Sequence, residues 1–182
     1  MRLLLKILRF SPPGFVRKRE LRKLIASTSS ALGRPVPSTA GLSAEECLMA
    51  YARFTKSEVD ALVTRGADLR VLQERLFREA QRFGMRYRSL FGVSSLQEAS
   101  DVDRFLYRCL GIDVLPGDPR ELTVSRCFFS AFYTPETCRF ISALDDGLFE
   151  GLSGGGRLRF TDRITEGHAC CKATVVNGSD LS

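Results

Sequence analysis

Up to Gly111 the apolar residues recur at helical spacing; beyond it they alternate, with one further helical stretch inside the alternating region. Ser43 and Glu46 form a capping-box signature, each side chain placed to satisfy an exposed amide of the other. Cys47, Leu48, Tyr51 and Phe54 follow as an apolar stripe. A second helix is expected from Thr55 or Ser57, carrying Val59, Leu62 and Val63 to a stop at Gly66. A third, from Asp68 to Phe83, puts Leu69, Leu72, Leu76, Phe77 and Ala80 on one face, with Gly84 as its stop. Met85 to Phe91 reads as a further short turn of helix. Asp101 to Leu110 forms another, with Val102, Phe105, Leu106 and Cys109 inward.

After the turn Pro116-Gly117-Asp118-Pro119, Glu121 to Phe129 reads as a strand. Leu122, Val124 and Phe128 fall on one face, interrupted by Arg126; Thr123, Ser125, Cys127 and Phe129 fall on the other. Thr134-Pro135 is a strong helix start, with an N-cap threonine and proline at the first position. On that helix Ile141, Leu144, Leu148 and Leu152 make the core stripe, and Cys138, Ser142, Asp145 and Phe149 run along its edge. A thiol, a hydroxyl and a carboxylate therefore line up beside a buried surface. Asp145 faces inward and Asp146 outward, and an inward carboxylate needs a partner, whether a salt bridge or a site. Gly154-Gly155-Gly156 is a flexible connection without the Lys and Ser or Thr of a phosphate-binding loop. Arg157–Thr165 and His168–Val176 are expected as two strands around Glu166-Gly167. Cys170 and Cys171 must then point to opposite sides of the sheet.

Composition narrows the class. A chain of 182 residues with 44% hydrophobic and 26% charged residues has the size and balance of one globular domain with a real core. The net charge of +6 is concentrated at the front, where residues 1–24 hold eight Lys or Arg against one Glu. The remainder is close to neutral, which argues against a nucleic-acid face. Leu3-Leu4-Leu5 is cut by Lys6, too short for a signal core or a membrane span. Val16 to Ile25 reads as a basic helix with Val16, Leu21, Leu24 and Ile25 apolar. One reading is a weak membrane-surface contact through residues 1–25. The favoured one is an N-terminal extension with a solvated charge run, since termini often lack fixed structure. Ser27 to Leu42 is a linker by composition, so residues 1–42 are expected as extension and linker, 43–177 as the domain and 178–182 as a tail.

Six cysteines, with no CxxC and no zinc-ligand spacing, point to free thiols in a reducing, cytoplasmic compartment. No cofactor is called for. Cys127, between Arg126 and a turn, is the best placed to be a thiolate; the bland reading is a small buried strand residue. His168 reads as an exposed turn residue.

Several motifs in order resemble the L-2-amino-thiazoline-4-carboxylic acid hydrolase family. They are YARFTKSEVDALVTRG, LQERLFREAQRFGMRYRSLFG, VSRC at 124–127, ALDDGLFEGL, RLRFTDRITEG, and Cys171 four residues after Gly167. The resemblance spans about residues 45–176. Where that family tends to have a cysteine three residues before the helix aspartate, this chain has Ser142, with Cys138 one turn earlier. Where it favours acidic residues after the hairpin glycine, this chain has His168-Ala169. Vinyl-reductase-like domains share the terminal glycine-then-cysteine pattern.

The resemblance implies hydrolysis of a cyclic amidine C–N bond in a small thiazoline-carboxylate substrate, opening it to an S-carbamoyl-cysteine type of product. Cys127 would attack or position water, and Asp145 would act as acid and base. Arg126 or Arg163 would hold the substrate carboxylate. Cys171, Ser142 and His168 would line the pocket. The alternative is a non-catalytic module binding a small ligand or a metal through the cysteine-bearing face. The expected fold is α+β: a helical N-terminal half packed on a small antiparallel sheet with one crossing helix.

Overall fold

The computed structural model describes residues 12–177. Among them five α-helices, α1 (Gly14–Leu32), α2 (Ala44–Thr64), α3 (Leu69–Phe91), α4 (Leu96–Cys109) and α5 (Pro135–Ser153), pack on a small sheet. Its strands are β1 (Ile112–Val114), β2 (Glu121–Cys127), β3 (Gly156–Asp162) and β4 (Cys171–Asn177), all antiparallel in the order β1-β2-β4-β3. The fold is α+β, with the helices ahead of the sheet and α5 crossing between its two halves. No helix among the described residues is long and apolar enough to cross a membrane.

The N-terminal segment departs from expectation. Rather than a frayed extension leading into a linker, α1 runs to Leu32 and ends at Gly33 in the left-handed region (φ 63°). Leu21, Ile25 and Thr28 form a fully buried stripe. Thr28 Oγ1 and Tyr51 Oη on α2 share a buried hydrogen bond of 3.0 Å. The basic residues stay at the rim: Arg22 Nε donates to Thr39 Oγ1 at 3.2 Å, and Arg17 Nε to the Cys109 carbonyl at 3.4 Å. A narrow apolar stripe between charges is enough to dock a helix when another helix covers it. Residues 1–11 lie outside the described residues, so only the part of the membrane-contact reading that falls on residues 12–25 has a structure.

Two other boundaries moved. The capping box of Ser43 and Glu46 is present, with Glu46 N donating to Ser43 Oγ at 3.2 Å and Ser43 N to Glu46 Oε2 at 2.7 Å. The helix it opens is continuous through Thr55, because the Thr55 hydroxyl donates to the Tyr51 carbonyl one turn back at 2.8 Å and does not compete as a new cap. α3 likewise passes through Gly84 and stops only at Gly92. Gly84 sits where α3 crosses α5. A Cβ there would fall 2.2 Å from the Leu148 carbonyl oxygen; one on Gly147 would fall 2.2 Å from that of Phe77, and one on Gly151 2.2 Å from that of Gln81. These glycines bring two backbones together rather than ending a helix.

Alternation in β2 is reset by a β-bulge. Ile112 pairs with Cys127 and Asp113 with Arg126, but Val114 pairs with Val124, leaving Ser125 as the extra residue. Cys127 therefore joins Leu122 and Val124 on the inner face, opposite to the face that strict alternation assigns. The strand stops there, and Phe128–Ala131 forms a 3-10 turn. Beyond α5, β3 ends at Asp162, where a second irregularity leads into a 3-10 turn, Ile164–Glu166. β4 begins at Cys171, three residues after His168. As expected, Cys171 and Ala173 are buried while Lys172 and Thr174 face out.

Candidate functional site

A cavity of about 140 Å³ lies under α1 between α3, α4, α5 and the start of the sheet. Most of its wall is apolar: Leu24, Phe83, Leu106, Phe129, Ile141, Leu144 and Leu148. Cys127, Cys138, Ser142 and Asp145 also line it, as do Glu20 and Tyr87. Glu20 is a buried carboxylate held by Lys23 Nζ at 3.1 Å, by Arg19 Nε at 3.0 Å and by a short contact from the Tyr87 hydroxyl.

Each side chain of the cysteine-bearing part arrives for a local reason. The bulge at Ser125 turns Cys127 inward. The spacing of α5, capped by Thr134 Oγ1 accepting from Thr137 N at 3.2 Å, puts Cys138, Ser142 and Asp145 along one edge. One turn of α4 separates Asp103 from Tyr107, both buried. The β3–β4 connection brings Arg163 and Cys171. Arg163 Nη1 donates to Ser142 Oγ at 2.7 Å, and its guanidinium lies 4.4 Å from the Phe160 ring centre.

Burial dominates the electrostatics. Asp145 is largely buried in the cavity wall, and desolvation pushes its carboxyl up to about 6. Tyr107 and the positive charge of Arg163 pull in the opposite direction without cancelling this. The approach of Tyr107 to Asp145 is not a well-formed hydrogen bond: Tyr107 Oη and Asp103 Oδ1 are both fully buried without a partner of good geometry. Asp103 is held well above the carboxylate range by its burial and by the Asp145 charge, and Tyr107 well above the phenol range by the same causes. Burial pushes the Cys127 thiol up to about 12, against the pull of the Phe129 and Ser130 amides. Burial also raises Cys171, whose sulfur accepts a hydrogen bond from Ile164 N at 3.4 Å.

The expected site residues thus divide. Cys127, Asp145 and Ser142 line one cavity, while Arg163 and Cys171 stand close enough to act on Asp145 or on the thiols electrostatically. Arg126 does not join them. Its side chain is 75% exposed on the outer face of β2 and is bound to Asp113 at 2.7 Å. His168 is also outside, half exposed, with Nδ1 3.7 Å from Asp162. The sequence reading passed over Asp103 and Tyr107. The signal was an acidic residue and a tyrosine four apart, flanking the apolar Val102 and Leu106. All six cysteines are free thiols, and among the described residues no group of three or more His, Cys, Asp or Glu side chains is placed to hold a metal.

No family model matches the chain, and searches of curated proteins and of solved structures found no similar protein.

Proposed function

We propose that the protein is a binding module for a small, largely apolar molecule, held in the cavity beneath α1 with Asp145 as its polar contact. The observation that carries this is the composition of the chamber: an apolar wall with a desolvated carboxyl turned into it. A cavity of this size lined by Leu, Ile and Phe suits a body of about one ring, since a comparable engineered cavity of ~150 Å³ holds benzene. A hydroxyl or amine on that body would give Asp145 the partner that burial demands. The free thiols fit the reducing, cytoplasmic setting in which we place it.

The test is titration of the protein with 3-phenyl-1-propanol, followed by amide chemical shifts. Saturable shifts on α5 and at the end of β2 are expected, and they should vanish in Leu144→Phe, which fills the chamber. Shifts scattered over the surface, or unchanged in the filled variant, would sink the reading.

A second reading is the hydrolase of the thiazoline-carboxylate type, favoured by one observation: Cys127 and a carboxyl near 6 share the cavity. Asp145 could pass a proton to a leaving nitrogen near neutral pH. Against it, a thiol near 12 is almost wholly protonated at that pH and a poor nucleophile. Turnover of L-2-amino-thiazoline-4-carboxylate by the protein, lost in Cys127→Ser, would restore it.

A further inference from the structure

A second concavity, of about 310 Å³, opens on the outer side of α5. Four arginines line it, Arg70, Arg139, Arg157 and Arg163, together with Phe77 and Phe160. Its carboxylates are largely engaged. Asp146 accepts from Arg157 Nε at 2.8 Å and from Leu158 N at 2.9 Å, and Glu166, at its edge, accepts from Arg139 Nε at 2.7 Å. Glu74, also in the lining, pairs with Arg78 at 2.7 Å. Arg157 and Arg163 lie over the Phe77 and Phe160 rings at 4.2 and 4.4 Å, which fixes both planar cations at the groove wall.

Ser142 belongs to both concavities: it lines the apolar cavity on one side and the basic groove on the other. At this point the seam between α5 and the β3–β4 connection is bridged by the hydrogen bond from Arg163 Nη1 to Ser142 Oγ. Ser142 Oγ in turn donates to the Cys138 carbonyl at 2.8 Å, so it is held in place on its own helix. Ser142, with the arginine bonded to it, is therefore the point at which the apolar chamber and the cationic groove share a wall.

We propose that the groove is the anion-binding mouth of the cavity, so that the ligand is an amphipathic monocarboxylate with its apolar body inside, a hydroxyl on that body at Asp145, and its carboxylate on Arg163, across Ser142. This rests on the cavity-binding reading and adds the chemistry of the other end of the ligand. Energetics favour the exchange. Arg163 gives up a bond to a neutral hydroxyl and gains one to a carboxylate, and charge-assisted hydrogen bonds are roughly twice as strong as neutral ones. Glu166, with its oxygen 3.7 Å from Arg163 Nε, competes weakly because Arg139 already holds it.

The test compares three probes on the intact protein by calorimetry or amide shifts: 3-(4-hydroxyphenyl)propanoate, its neutral counterpart 3-(4-hydroxyphenyl)-1-propanol, and acetate. The carboxylate should bind at least tenfold more tightly than the alcohol, and acetate should not bind measurably. Arg163→Gln should erase the preference, bringing the acid down to the alcohol's affinity or below, and amide shifts unchanged away from the groove certify that the variant is folded. Arg163→Lys, keeping the charge, should retain part of the preference. Equal affinity for acid and alcohol, or a preference that survives Arg163→Gln, overturns the proposal while leaving the cavity reading standing. Acetate binding as tightly as the arylalkanoate overturns it too, by separating groove from cavity. If none of the probes binds, the cavity reading fails and this proposal falls with it.

Discussion

Arg157 holds Asp146 with Nε at 2.8 and 3.0 Å from its two carboxylate oxygens, while Asp145, one residue earlier on the same helix, turns into the cavity with no cation among the described residues bonded to it. Adjacent carboxylates on α5 thus live in opposite surroundings, one paired at the rim and the other desolvated. The raised Asp145 carboxyl has a definite sign. Between its unfolded value of 3.8 and its folded value of about 6, the folded state binds the extra proton, so stability falls as pH rises through that window. Above it, the buried charge costs about 3 kcal/mol. Asp145→Asn is expected to raise stability at pH 7.5 by up to that amount, with the gain shrinking toward pH 4. Denaturant melts of both proteins at the two pH values measure it; a destabilised variant at pH 7.5 would contradict the assignment.

Cys127 should react slowly. With its thiol pushed up to about 12 by burial, almost none is thiolate at pH 8. Peptide mapping after brief iodoacetamide treatment should find the partly exposed Cys170 labelled well before Cys127. Early labelling of Cys127 would reveal an activated thiol and return the hydrolase reading to the front.

The crossing of α3 and α5 depends on the absence of side chains. Gly147→Ala or Gly151→Ala places a methyl 2.2 Å from a backbone oxygen, so each should destabilise by about 1–3 kcal/mol through forced separation of the helices. Gly14→Ala, which meets nothing within 4 Å, is the control. Urea midpoints report the difference.

Tyr133 Oη and Thr55 Oγ1 share a buried hydrogen bond of 2.5 Å. Thr55→Val leaves the tyrosine hydroxyl unpartnered and should cost about 1–3 kcal/mol. The double variant with Tyr133→Phe should lose less than the two single losses combined, because both ends of the bond are then gone. Strict additivity would mean that the two groups are not coupled.

Leu21→Ala tests whether α1 belongs to the folded body. Its side chain is fully buried, and removal should cost about 2–5 kcal/mol. A loss below ~0.5 kcal/mol, typical of surface positions, would make α1 an appendage after all.

Much of this architecture was legible because the signals were local. A capping box, an N-cap threonine before proline, and glycines at Gly66 and Gly111 each act within a few residues of themselves. The misreadings share a different cause. Gly84 looks like a stop until Gly151 is known to lie against it, and α1 looks solvated until α2 is known to cover Leu21 and Ile25. At Cys127 the failure is sharper: strict alternation misassigns it because one extra residue, Ser125, reverses the parity of the strand end, and no residue type announces a bulge. Asp145 facing inward followed from periodicity on α5. Asp103 and Tyr107 could not be joined to it in the same way, since the packing of α4 on α5 brings them together. Arg126 and Arg163 were equivalent as candidates in sequence, and only the sheet register separated the exposed one from the one beside Ser142.

The strand order has a consequence for how the chain comes together during synthesis. β2 and β3 each pair with β4, and β4 is the last of the described strands to be made. While a ribosome is still adding residues before Cys171, the helices can gather but β2 has only the three-residue β1 beside it and β3 has no partner. Closure of the sheet therefore waits for residues 171–177 to thread between two strands already present. Once free of the ribosome, a chain truncated before Cys171 should remain protease-sensitive across residues 157–162, and one that includes Cys171–Asn177 should lose that sensitivity.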